Sequence, residues 1–172
     1  TPPPESAEAK AEPAPDACSE AAPAATRAIE PKLPFGYDEM TVDSVSNAPG
    51  GGGAVILLDA SKSKAVAIYV GGSEATSIGL RQSRQKYVRP LTHDLLDAVL
   101  EKYGGRVVSA RVDAIENNVF LGTLTLQKGN LTIDIDARAS DAIAMALGSQ
   151  APIYVARTVI ARAGVPPAEL AK

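Results

Sequence analysis

The chain has 172 residues, 45% of them hydrophobic, with a formal net charge of −3; this suffices for one domain of ordinary size and not for two. One cysteine, Cys18, excludes an intramolecular disulfide, and one histidine, His93, excludes an ordinary structural zinc site in the remaining chain, which needs four nitrogen or sulfur ligands. Any metal would be oxygen-ligated, hence Mg²⁺, Mn²⁺ or Ca²⁺, and the longest apolar run, residues 54–58, is far too short to span a bilayer.

Residues 1–30 contain no Val, Leu, Phe, Tyr or Trp and are dominated by Ala, Pro and Glu, a composition that cannot build a core. They hold six acids against Lys10 and Arg27, a net of −4, which leaves 15 bases and 14 acids, a net of +1, for residues 31–172. The acidic balance belongs to this leader, so it does not argue against an anionic partner for the rest. The expected division is a disordered leader or tether over residues 1–34, one domain over 35–165 and a tail over 166–172. Thr1 in place of Met suggests a removed leader or a trimmed chain, and a Pro/Ala-rich spacer after such a cut suits an exported or envelope-tethered protein, although a cytoplasmic linker has the same composition.

Period-two alternation over residues 40–45 marks the first strand. Residues 47–53 form a glycine turn; it resembles a phosphate cradle only superficially, because no Gly-Lys-Ser/Thr follows and residues 54–59 read as a strand. Residues 65–70 pair with that strand, and Gly71-Gly72-Ser73-Glu74 should cap a helix that ends near Gln82. A second helix, from Thr92 to Tyr103, aligns Leu95, Leu96, Val99, Leu100 and Tyr103 in one apolar stripe and stops at Gly104-Gly105. Residues 106–114, 119–128 and 131–136 form three more strands joined by Asn117-Asn118 and Gly129-Asn130 turns, and Leu131, Ile133 and Ile135 should face the core. A helix over residues 140–147, a strand over 153–155 and a helix over 158–163 complete an α/β (α+β) single domain with a mixed, largely antiparallel sheet and three to four helices.

Three clusters could carry chemistry. In the segment from Arg89 to Leu96, Thr92 can cap the second helix and place His93 and Asp94 in its first turn; helix neighbours diverge by about 100°, so a carboxylate that orients His93 must come from elsewhere. Asp134 and Asp136 share a strand face, and Asp141 begins the next helix, a usual place for carboxylates that hold a divalent ion, or alternatively for acids that serve a helix dipole and pair with Arg138. Arg81, Arg84, Lys86 and Arg89, with Tyr87 among them, can neutralise phosphates while the aromatic stacks on a base, or can form a solvated face. These patterns alone name no reaction.

The order of segments adds a resemblance. Residues 67–75 (AIYVGGSEA), 89–96 (RPLTHDLL), 136–144 (DARASDAIA) and 151–155 (APIYV) resemble the successive signature blocks of the bifunctional nuclease domain family over residues 38–164. The resemblance implies an α/β fold and hydrolysis of both RNA and DNA, so that nucleic acid is the expected partner, and a homo-oligomer is an expected assembly. It carries over Glu74, Arg89, Thr92, His93, Asp94, Asp136, Arg138, Ser140 and Asp141. The chain departs from the pattern at Ala67 and Ala139, where the family usually has Pro. The leading expectation is an Mg²⁺- or Mn²⁺-assisted phosphodiesterase: Asp136, Asp141 and Asp94 or Glu74 hold the ion, His93 moves a proton, and Arg89 and Arg138 stabilise phosphate charge, with Thr92, Ser140, Arg81 and Arg84 as further substrate contacts. Its rival is a non-catalytic binding or assembly module on a tether. If these blocks build one site, His93 and Asp141 should lie within about 15 Å of each other.

Overall fold

The computed structural model describes residues 28–47 and 51–170. Most of the leader expected to be disordered, and residues 48–50 of the glycine turn, lie outside the described residues.

Two antiparallel meanders make one eight-stranded sheet. The first comprises β1 (Tyr37–Asn47), β2 (Gly52–Asp59) and β3 (Ala65–Gly71); the second comprises β4 (Gly105–Glu116), β5 (Val119–Lys128) and β6 (Leu131–Arg138). Positive φ angles at Asn117 (49°) and Asn118 (63°) make the tight turn between β4 and β5, as a two-residue hairpin requires. The four-residue strand β7 (Ile153–Ala156) joins the meanders, antiparallel to β1 and parallel to β4. All four of its residues are buried, the signature of a strand covered on both faces. A two-residue strand, β8 (Gly164–Val165), adds the order β6-β5-β4-β7-β1-β2-β3-β8 and carries too little pattern to be legible from sequence.

Helices α1 (Gly72–Gln82), α2 (Thr92–Lys102), α3 (Ala139–Ser149) and α4 (Arg157–Ala163) complete the domain. The central one is α3, which contacts β4 and β5 as well as α1 and α2. Its alanines allow close approach: a Cβ on Gly122 of β5 would stand 3.0 Å from the Cα of Ala139. Ile143, Met145, Val112, Val155 and Leu57 fill the core around it.

The N-cap of α1 is Gly71, inside the segment expected to supply it, with no side-chain cap. Two local expectations need correction. Thr92 does not cap α2; it is the first helical residue, and the N-cap Leu91 instead donates its N–H to the Asp94 carboxylate at 2.9 Å. Leu131, Ile133 and Ile135 of β6, expected to face the core, are exposed, as are Leu95, Leu96, Val99 and Tyr103 in the apolar stripe of α2. Only His93 of α2 is buried, while Leu100 packs partly on the core. At the other end of the second meander, Ile29 of the expected leader lies against the domain: its N–H donates to Gln127 at 3.1 Å, and its carbonyl accepts from Arg106 at 2.6 Å.

With so little apolar burial, α2 is held largely by charge. Arg81, in the last turn of α1, reaches Asp94 at 2.8 Å and Asp97 at 2.7 Å on α2, and donates to the carbonyl of Ala144 on α3 at 3.1 Å. Its side chain is 7% exposed, so the guanidinium expected to meet phosphate is consumed inside the fold. A Cβ on Gly148 would stand 1.8 Å from Arg81 Nη1, so glycine at that position leaves the room the pair occupies. Burial pushes the Asp97 carboxyl up from its ordinary range, against the pull of Arg81. Removing one partner of such a pair strands the other charge. Arg81→Met should therefore cost about 3 kcal/mol in urea unfolding; a loss no larger than that of an exposed substitution would show that the clamp is unimportant.

Candidate functional site

Three helix starts meet at one cavity of about 480 Å³. Gly72, Ser73 and Glu74 come from the first turn of α1, Thr92 and His93 from the first turn of α2, and Arg138 and Asp141 from the N-cap and first turn of α3. The convergence has a topological cause: α1 follows β3 directly and α3 follows β6 directly, so each helix begins where its strand ends. Glycine is needed at the first junction, since a Cβ on Gly72 would collide with the backbone carbonyl oxygen of Gly51.

His93 is 8% exposed and is held at both ring nitrogens. Its Nε2 lies 3.2 Å from Asp141 Oδ1, and its Nδ1 lies 2.9 Å from the Ser77 hydroxyl on α1. A carboxylate only accepts, so the Asp141 contact places the proton of the neutral ring on Nε2 and leaves Nδ1 to accept from Ser77. The carboxylate that orients His93 thus comes from 48 residues away. Asp94, its neighbour in sequence, is occupied with Arg81 and the Leu91 N–H.

Arg138 ties the carboxylates together. It donates to Asp141 Oδ2 at 2.6 Å and Oδ1 at 2.9 Å, and to Glu74 Oε1 at 2.8 Å, while Ser73 donates to Glu74 Oε2 at 2.9 Å. Burial raises the Asp141 carboxyl, but Arg138 and His93 outweigh it and hold the group below its ordinary range. Ser73, then Arg138, do the same for Glu74. Asp141 and Glu74 in turn raise the Arg138 guanidinium, whose side chain is nevertheless 64% exposed. One edge of a fixed cation therefore faces solvent at the cavity.

Five of the residues expected from sequence converge here: Glu74, Thr92, His93, Arg138 and Asp141. Ser140 is buried in the first turn of α3. Asp136 is elsewhere. Ile135 pairs with Leu124 on the core face, so the adjacent Asp136 points to the opposite face, beside Thr123, where its carboxylate has no hydrogen-bond or ion-pair partner among the described residues. Asp134 shares that opposite face and is held by Arg111 at 2.9 Å and Thr125 at 2.7 Å. Arg84 and Lys86 line a separate groove of about 1210 Å³, Tyr87 lines both that groove and the His93 cavity, and Arg89 is exposed outside both. Ser77 was not singled out from sequence, although its place three residues after Glu74 puts both on one side of α1.

The donor set does not suit a divalent ion. All four oxygens of Glu74 and Asp141 are engaged by Arg138, His93 or Ser73. Among the described residues no three His, Cys, Asp or Glu side chains group as ligands. An ion at these carboxylates would have to displace Arg138. Also among the described residues, no helix is long and apolar enough to cross a membrane.

The family model for the bifunctional nuclease domain matches residues 55–168, which include every residue lining the cavity. The chain belongs to the bifunctional nuclease domain family. It is also similar to uncharacterized proteins of Mycobacterium tuberculosis strains H37Rv and CDC 1551, each 32% identical over 124 residues, covering 72% of this chain and 71% of the relative.

The carboxylates make an acid-sensitive contribution. Asp141 and Glu74 titrate lower folded than unfolded, so the unfolded chain binds more protons and the stability they confer is present above the ordinary carboxylate range and lost as pH falls through their folded values. The stability difference between the native chain and Asp141→Asn, from urea unfolding, should therefore shrink as pH drops below about 4. A difference that widened there would contradict the assignment.

Proposed function

We propose that this chain is a phosphodiester hydrolase acting on RNA and DNA, with its reaction centre at His93, Asp141, Ser77 and Arg138. The observation that carries the reading is the exposed edge of Arg138, fixed on Asp141 and Glu74 beside a cavity ringed by three helix starts. Helix N-termini and a guanidinium both favour an anion there, and a planar fork suits phosphate oxygens. Membership of the bifunctional nuclease domain family supports phosphate diesters as that anion.

In this reading Arg138 holds the non-bridging oxygens and stabilises charge as the pentacoordinate phosphorus forms. An attacking water gives its proton to the Ser77 oxygen while the Ser77 proton passes to Nδ1 of His93. Asp141 stabilises the resulting imidazolium through Nε2–H, as a carboxylate does for a catalytic histidine. The imidazolium returns the proton by the same route to the leaving oxygen. Glu74 positions Arg138 and takes no part in proton transfer.

One observation favours the rival, a non-catalytic anion-binding module: both nitrogens of His93 are already satisfied within the protein. A cleavage assay on single-stranded RNA and DNA separates the two. His93→Ala should reduce turnover about 10²- to 10⁴-fold, and Arg138→Ala should weaken both substrate affinity and turnover. Persistence of cleavage in chelator would assign the phosphate charge to Arg138, and its loss would assign part of it to Mg²⁺ or Mn²⁺. Equal activity in the native chain and both variants would sink catalysis at this site and leave the binding module.

A further inference from the structure

The connection between α1 and α2 carries two cations that the described residues leave unengaged. Arg81, Arg111, Arg138 and Arg157 each hold an acid, whereas the side chains of Arg84 and Lys86 have no hydrogen-bond or ion-pair partner among the described residues. Both line the groove of about 1210 Å³, which runs between this connection, the first half of α2, the end of α3 and β1. Arg84 sits there at a φ of 55°, in the left-handed region that glycine or asparagine occupies at less cost. Its N–H donates to the Arg81 carbonyl at 3.2 Å, and the Gln85 N–H donates to the Leu80 carbonyl at 2.8 Å, a closed turn that ends α1 and sends the chain toward Tyr87. A strained position filled by a long cation argues for a use of the side chain.

The groove is charged unevenly. Its acids Asp94 and Asp97 are already matched by Arg81, which leaves Arg84 and Lys86 on one wall and Glu39 of β1 on another. An anionic chain is drawn to the first wall and kept off the second. Tyr87, 58% exposed, lines both this groove and the His93 cavity, so the two openings adjoin across its ring. The His93 cavity, at about 480 Å³, falls within the roughly 300–1,000 Å³ of a small-ligand pocket, and the groove exceeds that range.

We propose that this groove is the subsite for the nucleotides that flank the scissile phosphate, with a base stacked on Tyr87 and the following phosphates held by Arg84 and Lys86. The proposal rests on the phosphodiester hydrolase reading of the His93 cavity and narrows its substrate to a single strand. A base can lie on the Tyr87 ring only when it has left a duplex stack. One phosphate at Arg138 then leaves the rest of the strand to run past Tyr87 along the cationic wall.

Two measurements on the full chain, with circular dichroism as a check on folding, test this. In the first, fluorescence anisotropy follows binding of a labelled phosphorothioate single strand of about twelve nucleotides, and of the duplex of the same sequence. The single strand should bind at least tenfold tighter than the duplex. Tyr87→Ala should weaken it about tenfold, Tyr87→Phe should restore it, and Arg84→Gln and Lys86→Gln should each lower the slope of log affinity against log salt by about 0.7. In the second, cleavage of the unmodified strand is compared with that of a dinucleotide. The strand should be preferred in kcat/KM, and Tyr87→Ala should shrink the preference mainly by raising KM for the strand. Strand binding that is absent, indifferent to these substitutions, or equalled by the duplex overturns the proposal. Cleavage of neither substrate, with Tyr87-dependent strand binding retained, overturns the hydrolase reading and leaves the groove as the strand-binding surface of a non-catalytic module.

Discussion

Arg81 is the interaction on which the rest of the site depends. It sits one helical turn beyond Ser77 on α1, and its two acids, Asp94 and Asp97, lie one and four residues after His93 on α2. Because α2 buries so little apolar surface, this guanidinium fixes where His93 stands relative to Ser77 and to α3. The pair is incompletely satisfied: Arg81 Nε and Asp97 Oδ1 are buried without a hydrogen-bond partner among the described residues. A buried network of this kind is a costly way to stabilise a fold but an effective way to set one position.

A second constraint is the placement of helix starts at strand ends. β3 runs into α1 and β6 into α3 without an intervening loop, so Glu74 and Arg138 reach the same cavity from opposite halves of the sheet. The four-residue strand β7 locks those halves together and is buried throughout. Glu74, Arg138 and Asp141 form a chain of charge-assisted hydrogen bonds across this seam, and such bonds are the short, strong ones. The site is therefore a property of the whole sheet.

Much of the fold was legible in the sequence. Alternation and asparagine or glycine turns placed the strands, and glycine stops placed the helices. The limits are physical. The stripe on α2 correctly showed an amphipathic helix, yet periodicity records which side of a helix or strand is apolar and not what covers it, so Leu131, Ile133 and Ile135 were read as core and the exposure of Leu96 and Val99 was not foreseen. Arg81 looked like a surface cation because its partners lie 13 and 16 residues further on, in another helix. Asp136 and Asp141 seemed to form a pair because they are close in sequence, but strand alternation turns one of them away from the other's cavity. Ser77 gave no signal, since a helical serine has many uses, and only the fold sets it against Nδ1 of His93.

The central claim is that His93 is held in one tautomer, Nε2–H toward Asp141 and Nδ1 toward Ser77. It is the only histidine in the chain, so long-range ¹H–¹⁵N correlation on imidazole-labelled protein reports a single ring. In its neutral form the ring should show Nε2 protonated and Nδ1 unprotonated, with the pattern lost in Asp141→Asn and Nδ1 shifted in Ser77→Ala. A rapidly averaged mixture of tautomers, unchanged by either substitution, would contradict the account.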